Sequence, residues 1–261
     1  MLENPQQPPS DNSSLSSLFV NNFIFVIFWL FYLAYTYLLL FSPPNQPVPG
    51  FPIWAIQPET IIEIMNESLN FFFILPFLNM GGLGGLISPL VPPVSEAIFN
   101  FAEAWIFMFL PLLLADVRGR HLPRFFFWIC AMFLTNVFLI PYMILRLKTP
   151  RKKDIIDQSS WVLSRSFGTV SLLVGITATI WFFVGRPEWG NLAVRLDYLI
   201  DQFTNNRVII AFTVDLVLFW LFQSILLGDI IEENQSRKWL RFLPFFGLAF
   251  WLIGQSSQTS K

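Results

Sequence analysis

Acidic and amide side chains recur at helical spacing inside an apolar stretch of this chain. Residues 95 to 115 read SEAIFNFAEAWIFMFLPLLLA, in which Glu96, Asn100 and Glu103 are four and then three residues apart. At about 100° per residue, these positions fall on one face of a helix. A carboxylate within hydrocarbon costs about 2.5–3.5 kcal/mol on insertion scales, so such residues normally face other protein groups.

A second stretch, residues 60 to 80, repeats this spacing with Glu63, Glu67 and Asn70. Glu63, like Glu96 in the first stretch, lies close to a predicted helix start, where free amides and the helix dipole favour a carboxylate. These two acids therefore have a structural explanation. The deeper Glu67 has a structural explanation only if residues 60–80 dip into the membrane without crossing it.

Asp215 is a third acid at a comparable depth in an apolar segment. With a rise of 1.5 Å per residue, Glu67 and Glu103 each lie roughly 10 Å inside the apolar layer, and Asp215 lies about as deep. We expect the three acids to approach one another near the middle of the membrane. Asn70 and Asn100 would complete this intramembrane polar site.

Such a site is compatible with two kinds of function. In the first, the acids form a proton or cation relay that serves a transported substrate. In the second, they hold the headgroup of a ligand, with Arg165 as a counter-ion. Phenylalanine-rich runs such as FFFIL are consistent with binding of a flat apolar molecule, although lipid-facing side chains are the commoner explanation for them.

Several other chemistries are excluded by residue counts. The chain has one histidine, His121, and one cysteine, Cys130, so it cannot assemble a histidine-rich metal centre, a bis-histidine haem or an intrachain disulfide. It contains no phosphate-binding loop and no Gly-x-Ser-x-Gly nucleophile motif. The sequence therefore predicts no catalytic residue and no metal site, and it identifies no cofactor.

The composition places the chain among integral membrane proteins. Hydrophobic residues make up 54% and charged residues only 13%, with a mean hydropathy of +0.58, whereas soluble domains are about a quarter charged. The net charge of −1 argues against a nucleic-acid partner. The expected partners are the lipid bilayer and either other membrane subunits or an apolar small molecule.

Continuous apolar runs predict an all-α, polytopic transmembrane bundle of six or seven spans. The candidate segments are 18–41, 60–80, 95–115, 125–145, 162–184, 208–227 and 239–254. Residues 1–17 are expected to form a flexible polar tail, 18–254 the helical domain and 255–261 a second polar tail.

Loop charges predict the orientation. The densest basic run, RLKTPRKK at 146–153, is assigned to the cytoplasmic side. If segment 125–145 crosses the membrane, the loop DVRGRHLPR at 116–124 lies on the opposite side.

Two further patterns concern assembly. Small residues Gly168, Ser171, Gly175 and Thr179 form a stripe that would let another helix approach closely. The stretch 191–203, NLAVRLDYLIDQF, has the pattern of an amphipathic helix lying in the membrane plane, and a partner-binding helix would have the same pattern.

The stretch FTVDLVLFWLFQSILLGD, with Asp215, Gln223 and Asp229, resembles multi-pass membrane proteins of unassigned role in cyanobacteria and plastids. The resemblance covers about the later half of the chain and implies no activity, but it suggests the thylakoid membrane, beside the cell inner membrane, as a location. We expect an accessory or assembly component of a membrane complex, or a binder of an apolar ligand. The alternative is a small proton- or cation-coupled transporter.

Overall fold

The computed structural model describes residues 12–82, 90–149, 161–231 and 236–255. This part of the chain is helical and contains no β-strand. Its α-helices are α1 (Asn12–Thr36), α2 (Pro58–Leu69), α3 (Ile74–Met80), α4 (Pro93–Ala115), α5 (Arg124–Leu134), α6 (Asn136–Arg146), α7 (Trp161–Val184), α8 (Leu192–Asn205), α9 (Arg207–Ile230) and α10 (Phe246–Ile253). A π-helical turn (Tyr37–Phe41) extends α1, and 3₁₀ turns lie at Ile53–Ala55, Phe71–Phe73, Pro187–Trp189 and Lys238–Phe242.

Three of the described helices are long and apolar enough to cross a membrane. They are α4, α7 and α9, of which the apolar part of α4 is 78% buried inside the fold. The all-helical expectation is confirmed, whereas the expectation of six or seven spans is not.

Helix α4 is the central helix and runs antiparallel to α7 but parallel to α9, since Phe99 packs on Phe212 and Trp105 donates to Gln223. The Trp181 side chain near the end of α7 donates to Glu96 at the start of α4, and Arg146 at the end of α6 contacts Asp116 just after α4. We call the two ends of the bundle the Arg207 end, where α4 begins, and the Arg146 end, where it finishes.

Segment 125–145 is a hairpin and not a span. Helix α5 begins at the Arg146 end, where Arg124 donates to the carbonyl of Leu114. The chain reverses at Thr135, which has φ of +37°, and α6 returns to the same end, where Arg118 Nε donates to the carbonyl of Thr149 over 2.6 Å. Residues 146–149 of the basic run and the DVRGRHLPR loop therefore lie at one end of the bundle, and not on the opposite sides that a crossing by segment 125–145 would give.

Segment 239–254 also turns back on itself. The 3₁₀ turn Lys238–Phe242 enters from the Arg146 end, the chain reverses at Phe245, which has φ of +57°, and α10 leaves towards the same end. Arg237 donates to the carbonyl of Gly254 over 3.1 Å, which places the entrance and the exit together. This second hairpin is short because its tip packs against α4, where the rings of Phe101 and Phe245 are 4.4 Å apart.

The predicted small-residue stripe on α7 lies against this second hairpin. A Cβ added at Gly168 would lie 2.9 Å from Cβ of Leu252, and one added at Gly175 would overlap the ring of Phe245. Glycine at both positions therefore allows α10 and α7 to pack closely.

Segment 60–80 is broken into two short helices. Helix α2 ends at Leu69, and positive φ angles at Phe72 and Phe73 prevent it from continuing into α3. Neither α2 nor α3 is among the helices long enough to cross a membrane. The amphipathic pattern at 191–203 does form helix α8, with Leu192, Leu196 and Ile200 exposed.

Candidate functional site

Asp215 of α9 contacts the tip of the α5–α6 hairpin, midway along the bundle. It is only 3% exposed and accepts three side-chain hydrogen bonds. Tyr35 of α1 donates to Oδ1 over 2.6 Å, Asn136 Nδ2 donates to the same oxygen over 2.7 Å, and the Thr135 hydroxyl donates to Oδ2. These contacts connect α1, the hairpin and α9.

The break at Thr135 creates these contacts. It ends α5 and begins α6, so the N-terminal end of α6 lies against Asp215. Free amides and the positive end of the helix dipole favour a nearby carboxylate. The sequence did not predict Tyr35, Thr135 or Asn136 as part of the polar site, because none of them has an unusual spacing.

Glu103 of α4 lies near Asp215 but has a different environment. Its side chain is 4% exposed, and its Oε2 atom has no hydrogen-bond partner among the described residues. The two carboxyl groups are close enough to repel each other when both are ionised. The structure thus places Glu103 beside Asp215.

Glu103 and Asp215 both line a cavity of about 980 Å³ that extends to the Arg207 end of the bundle. Its wall is mainly apolar and is built from α1, α4, the hairpin and α9. The apolar lining includes Tyr35, Leu39, Phe71, Phe99, Met132, Val137 and Phe212. Polar residues of α2, α8 and the α8–α9 connection, Glu63, Gln202, Asn205 and Asn206, border the Arg207 end.

Arg207 borders this cavity, and its side chain is hydrogen-bonded to the backbone. Its guanidinium donates to the carbonyls of Ser42, Pro43, Val48 and Pro49 at 2.7–3.1 Å. The sequence did not predict this attachment of residues 42–49 to α9. Arg207 thus fixes one wall of the cavity.

Glu67 does not line this cavity. It is 2% exposed, its Oε1 has no partner among the described residues, and its charged neighbours are Glu63 and Glu96. Burial, followed by these two charges, raises the pKa of Glu67 to about 8. The structure thus places Glu67 beside Glu96, apart from the pair that lines the cavity.

The two predicted amides lie fully buried beside this acid. Asn70 ends α2, and its carbonyl accepts from the amide of Phe73 over 2.8 Å. Asn100 accepts from the same amide through Oδ1 over 3.2 Å and donates to the carbonyl of Glu96. Both residues therefore stabilise the break between α2 and α3, and neither lines the cavity.

Glu96 lies in the first turn of α4, as its sequence position indicates, but it is enclosed by protein and not exposed. Its Oε2 accepts from Trp181 Nε1 over 2.7 Å and from Arg186 Nε over 3.4 Å. Glu96 thereby connects α4 to the end of α7.

Arg165, the predicted counter-ion, lies elsewhere. It is exposed near the start of α7, at the Arg146 end, and its Nε donates to the carbonyl of Ile253. It does not line the cavity, because the reversal at Phe245 brings α10 to this position.

The sequence did not predict a buried ion-pair network that lies at the Arg146 end. Arg146 is fully buried and binds Asp116 through two hydrogen bonds of 2.8 and 2.7 Å. It also donates to Asp229 over 2.9 Å, and Tyr142 donates to Asp116 over 2.6 Å. No sequence signal revealed this network, because only the hairpin brings residues 116 and 146 together.

Among the described residues, no group of three or more His, Cys, Asp or Glu side chains is placed to hold a metal ion. The chain matches no protein-family model, no curated protein and no solved structure. Function must therefore be inferred from a site in the fold, and the cavity beside Glu103 and Asp215 is the strongest candidate in the described part of the chain.

Proposed function

We propose that this chain is a multi-pass integral membrane protein that binds an apolar small molecule in the cavity lined by Glu103 and Asp215. The volume of about 980 Å³ suits a small organic ligand, and such sites combine apolar walls with a few polar groups. A role as an accessory or assembly component of a membrane complex is compatible with this binding.

The observation that carries the proposal is the unpaired oxygen of Glu103. A buried polar atom without a partner is costly, whereas Asp215 beside it has three donors. A ligand whose polar group donates to Glu103 would remove this cost. The expected location is the cell inner membrane or the thylakoid membrane.

The membrane placement is supported by α4, α7 and α9 together with α1. Lys148 at the Arg146 end lies 5.0 Å from the ring of Phe25, and Ser42 contacts Arg207 at the other end. Helix α1 and its π-helical extension therefore run the length of the bundle, which supports α1 as a fourth crossing in this proposal. Both hairpins enter from one side, as half-membrane elements buried in protein can do.

Photolabelling with benzophenone, which is neutral and apolar, tests the proposal. In phosphatidylcholine nanodiscs, we expect saturable labelling of peptides that line the cavity. Val208→Trp would narrow the cavity and lower this labelling at least fivefold, whereas Val217→Trp, on the exposed face of the same helix, would not. Unsaturable labelling spread over exposed helix faces would refute ligand binding.

Proton- or cation-coupled transport is the second candidate, and one observation favours it. The tip of a half-membrane hairpin meets a buried carboxyl group midway through the bundle, as broken helices do in many transporters. If the protein transports protons, reconstituted vesicles should dissipate an imposed pH gradient, and Asp215→Asn should abolish that flux while the protein remains folded. Equal leakage with and without the protein would exclude proton transport.

A further inference from the structure

We propose that the ligand of this cavity is a lipophilic organic cation, an amine or onium group attached to an apolar body. This inference rests on the proposed ligand-binding function and adds the charge of the ligand. It depends on the charged residues around the cavity, on the unequal environments of Glu103 and Asp215, and on the aromatic lining.

The described charged residues lining the cavity are mostly acidic. They are Glu63, Glu103, Asp215 and Arg207, which gives three potential negative charges and one positive charge. The guanidinium of Arg207 donates to four backbone carbonyls, and the partial negative charges of their oxygens offset its positive charge. The potential inside the cavity therefore favours a positive ligand, and an anion would be repelled.

Glu103 is the group that such a ligand would contact. Asp215 already accepts from Tyr35, Thr135 and Asn136, so its charge is stabilised by the protein. Glu103 Oε2 has no such donor among the described residues, although the residue is only 4% exposed. A cation beside Glu103 would offset its burial and reduce its repulsion with Asp215.

Aromatic rings surround the same space. Tyr35, Phe99 and Phe212 line the cavity, and the rings of Phe99 and Phe212 pack edge to face at 5.7 Å. The face of an aromatic ring attracts an onium or ammonium group, and the attraction strengthens when water is excluded. The same rings provide apolar contact for the body of the ligand.

Two ions of the same shape and opposite charge provide the test. Tetraphenylphosphonium and tetraphenylborate would each compete with benzophenone for photolabelling of the cavity, in nanodiscs of phosphatidylcholine. We expect tetraphenylphosphonium to compete at a bilayer-bound concentration at least tenfold lower than that of tetraphenylborate, with the partitioning of each ion measured in protein-free nanodiscs because the bilayer dipole potential favours the anion. Glu103→Gln should raise the tetraphenylphosphonium concentration needed by about tenfold, whereas Glu59→Gln, an exposed acid outside the cavity lining, should not.

The outcomes separate the two proposals. Benzophenone labelling could be saturable while the two ions compete equally, neither ion competes, or tetraphenylborate competes more strongly. Each of these results would refute the proposal that the ligand is a cation, but not the proposal that the cavity binds a ligand. An unchanged tetraphenylphosphonium affinity in Glu103→Gln would also refute the cationic ligand. Failure of benzophenone to label the cavity would refute the proposed function itself. Circular dichroism of each variant would confirm that the helices remain folded.

Discussion

The side-chain amide of Asn136 donates a 2.7 Å hydrogen bond to Oδ1 of Asp215, although 79 residues separate the two along the chain. This contact joins the tip of the α5–α6 hairpin to the middle of α9. Each arm of the hairpin has 11 residues, or about 16 Å of helix, which is roughly half of a hydrocarbon layer. The hairpin therefore ends where the polar groups of Thr135 and Asn136 have a buried acceptor.

Loss of the Asp215 carboxyl group should destabilise the fold. Asp215→Ala leaves the donors of Tyr35, Thr135 and Asn136 buried without an acceptor, at a cost of about 1–3 kcal/mol for each unsatisfied group. We expect the midpoint of thermal unfolding to fall by roughly 5–10 °C, as measured by tryptophan fluorescence.

Asp215→Asn should have a smaller effect, because it retains one acceptor oxygen. The matched control is Asp197→Ala, at an exposed acid of α8, which should leave the midpoint unchanged. Equal midpoints for Asp215→Ala and the wild type would contradict the described network.

Cross-linking should establish that segment 125–145 is a hairpin. The His121 and Thr149 side chains are 3.2 Å apart, whereas a membrane crossing between them would separate them by about 30 Å. In a Cys130→Ala background, His121→Cys and Thr149→Cys should be joined by a short bis-maleimide within one chain, as detected by peptide mass spectrometry.

The control for this experiment pairs Thr149→Cys with Asn205→Cys, which lies at the Arg207 end. This pair should not be joined by the same reagent. If His121→Cys and Thr149→Cys label with maleimides from opposite sides of sealed vesicles, the hairpin is wrong.

Removal of Arg146 should be more harmful than removal of its whole ion pair. Arg146→Leu leaves Asp116 buried without its cation, and breaking a buried pair in this way typically costs about 3–5 kcal/mol. Replacing Asp116 by Leu as well removes the unpaired charge, so the double variant should recover part of the lost stability, as measured by thermal unfolding.

Arg120→Leu, at an exposed position of the same loop, is the control and should cost little. A double variant less stable than Arg146→Leu alone would show that the unpaired charge of Asp116 is not the main cost.

Glu67 should make stability fall as pH rises. Its pKa is raised from 4.5 to about 8 by burial and by the charges of Glu63 and Glu96, so the folded state binds more protons than the unfolded state between these values. The free energy of unfolding therefore decreases through this pH range, and the decrease is complete above about pH 8.

Glu67→Gln should remove this dependence. The variant should unfold at a temperature several degrees above that of the wild type at pH 9, and the two should converge towards pH 4.5. Glu59→Gln, at an exposed acid of the same helix, should follow the wild type at every pH. Parallel pH curves for Glu67→Gln and the wild type would contradict the raised pKa.

The sequence located the acids but grouped them incompletely. Helical spacing and the cost of burying a carboxylate were enough to select Glu67, Glu103 and Asp215, and all three are buried. The spacing could not show that Glu67 lies beside Glu96, since that depends on the break at Phe72 and Phe73. The prediction of Arg165 depended on an assumed topology. In the structure it lies at the Arg146 end, outside the cavity lining.

The amino-acid sequence by itself determined the helical class, the apolar lengths of α4, α7 and α9, the amphipathic α8 and the small-residue face of α7, because these depend on local periodicity and composition. Only the tertiary structure decided which apolar segments cross the bundle and which turn back. Residues 125–145 are long enough to cross, but their reversal at Thr135 is stabilised by Asp215, a partner distant in sequence. Hydrophobic length limits what a segment can do, whereas long-range hydrogen bonds and ion pairs determine the path that it takes.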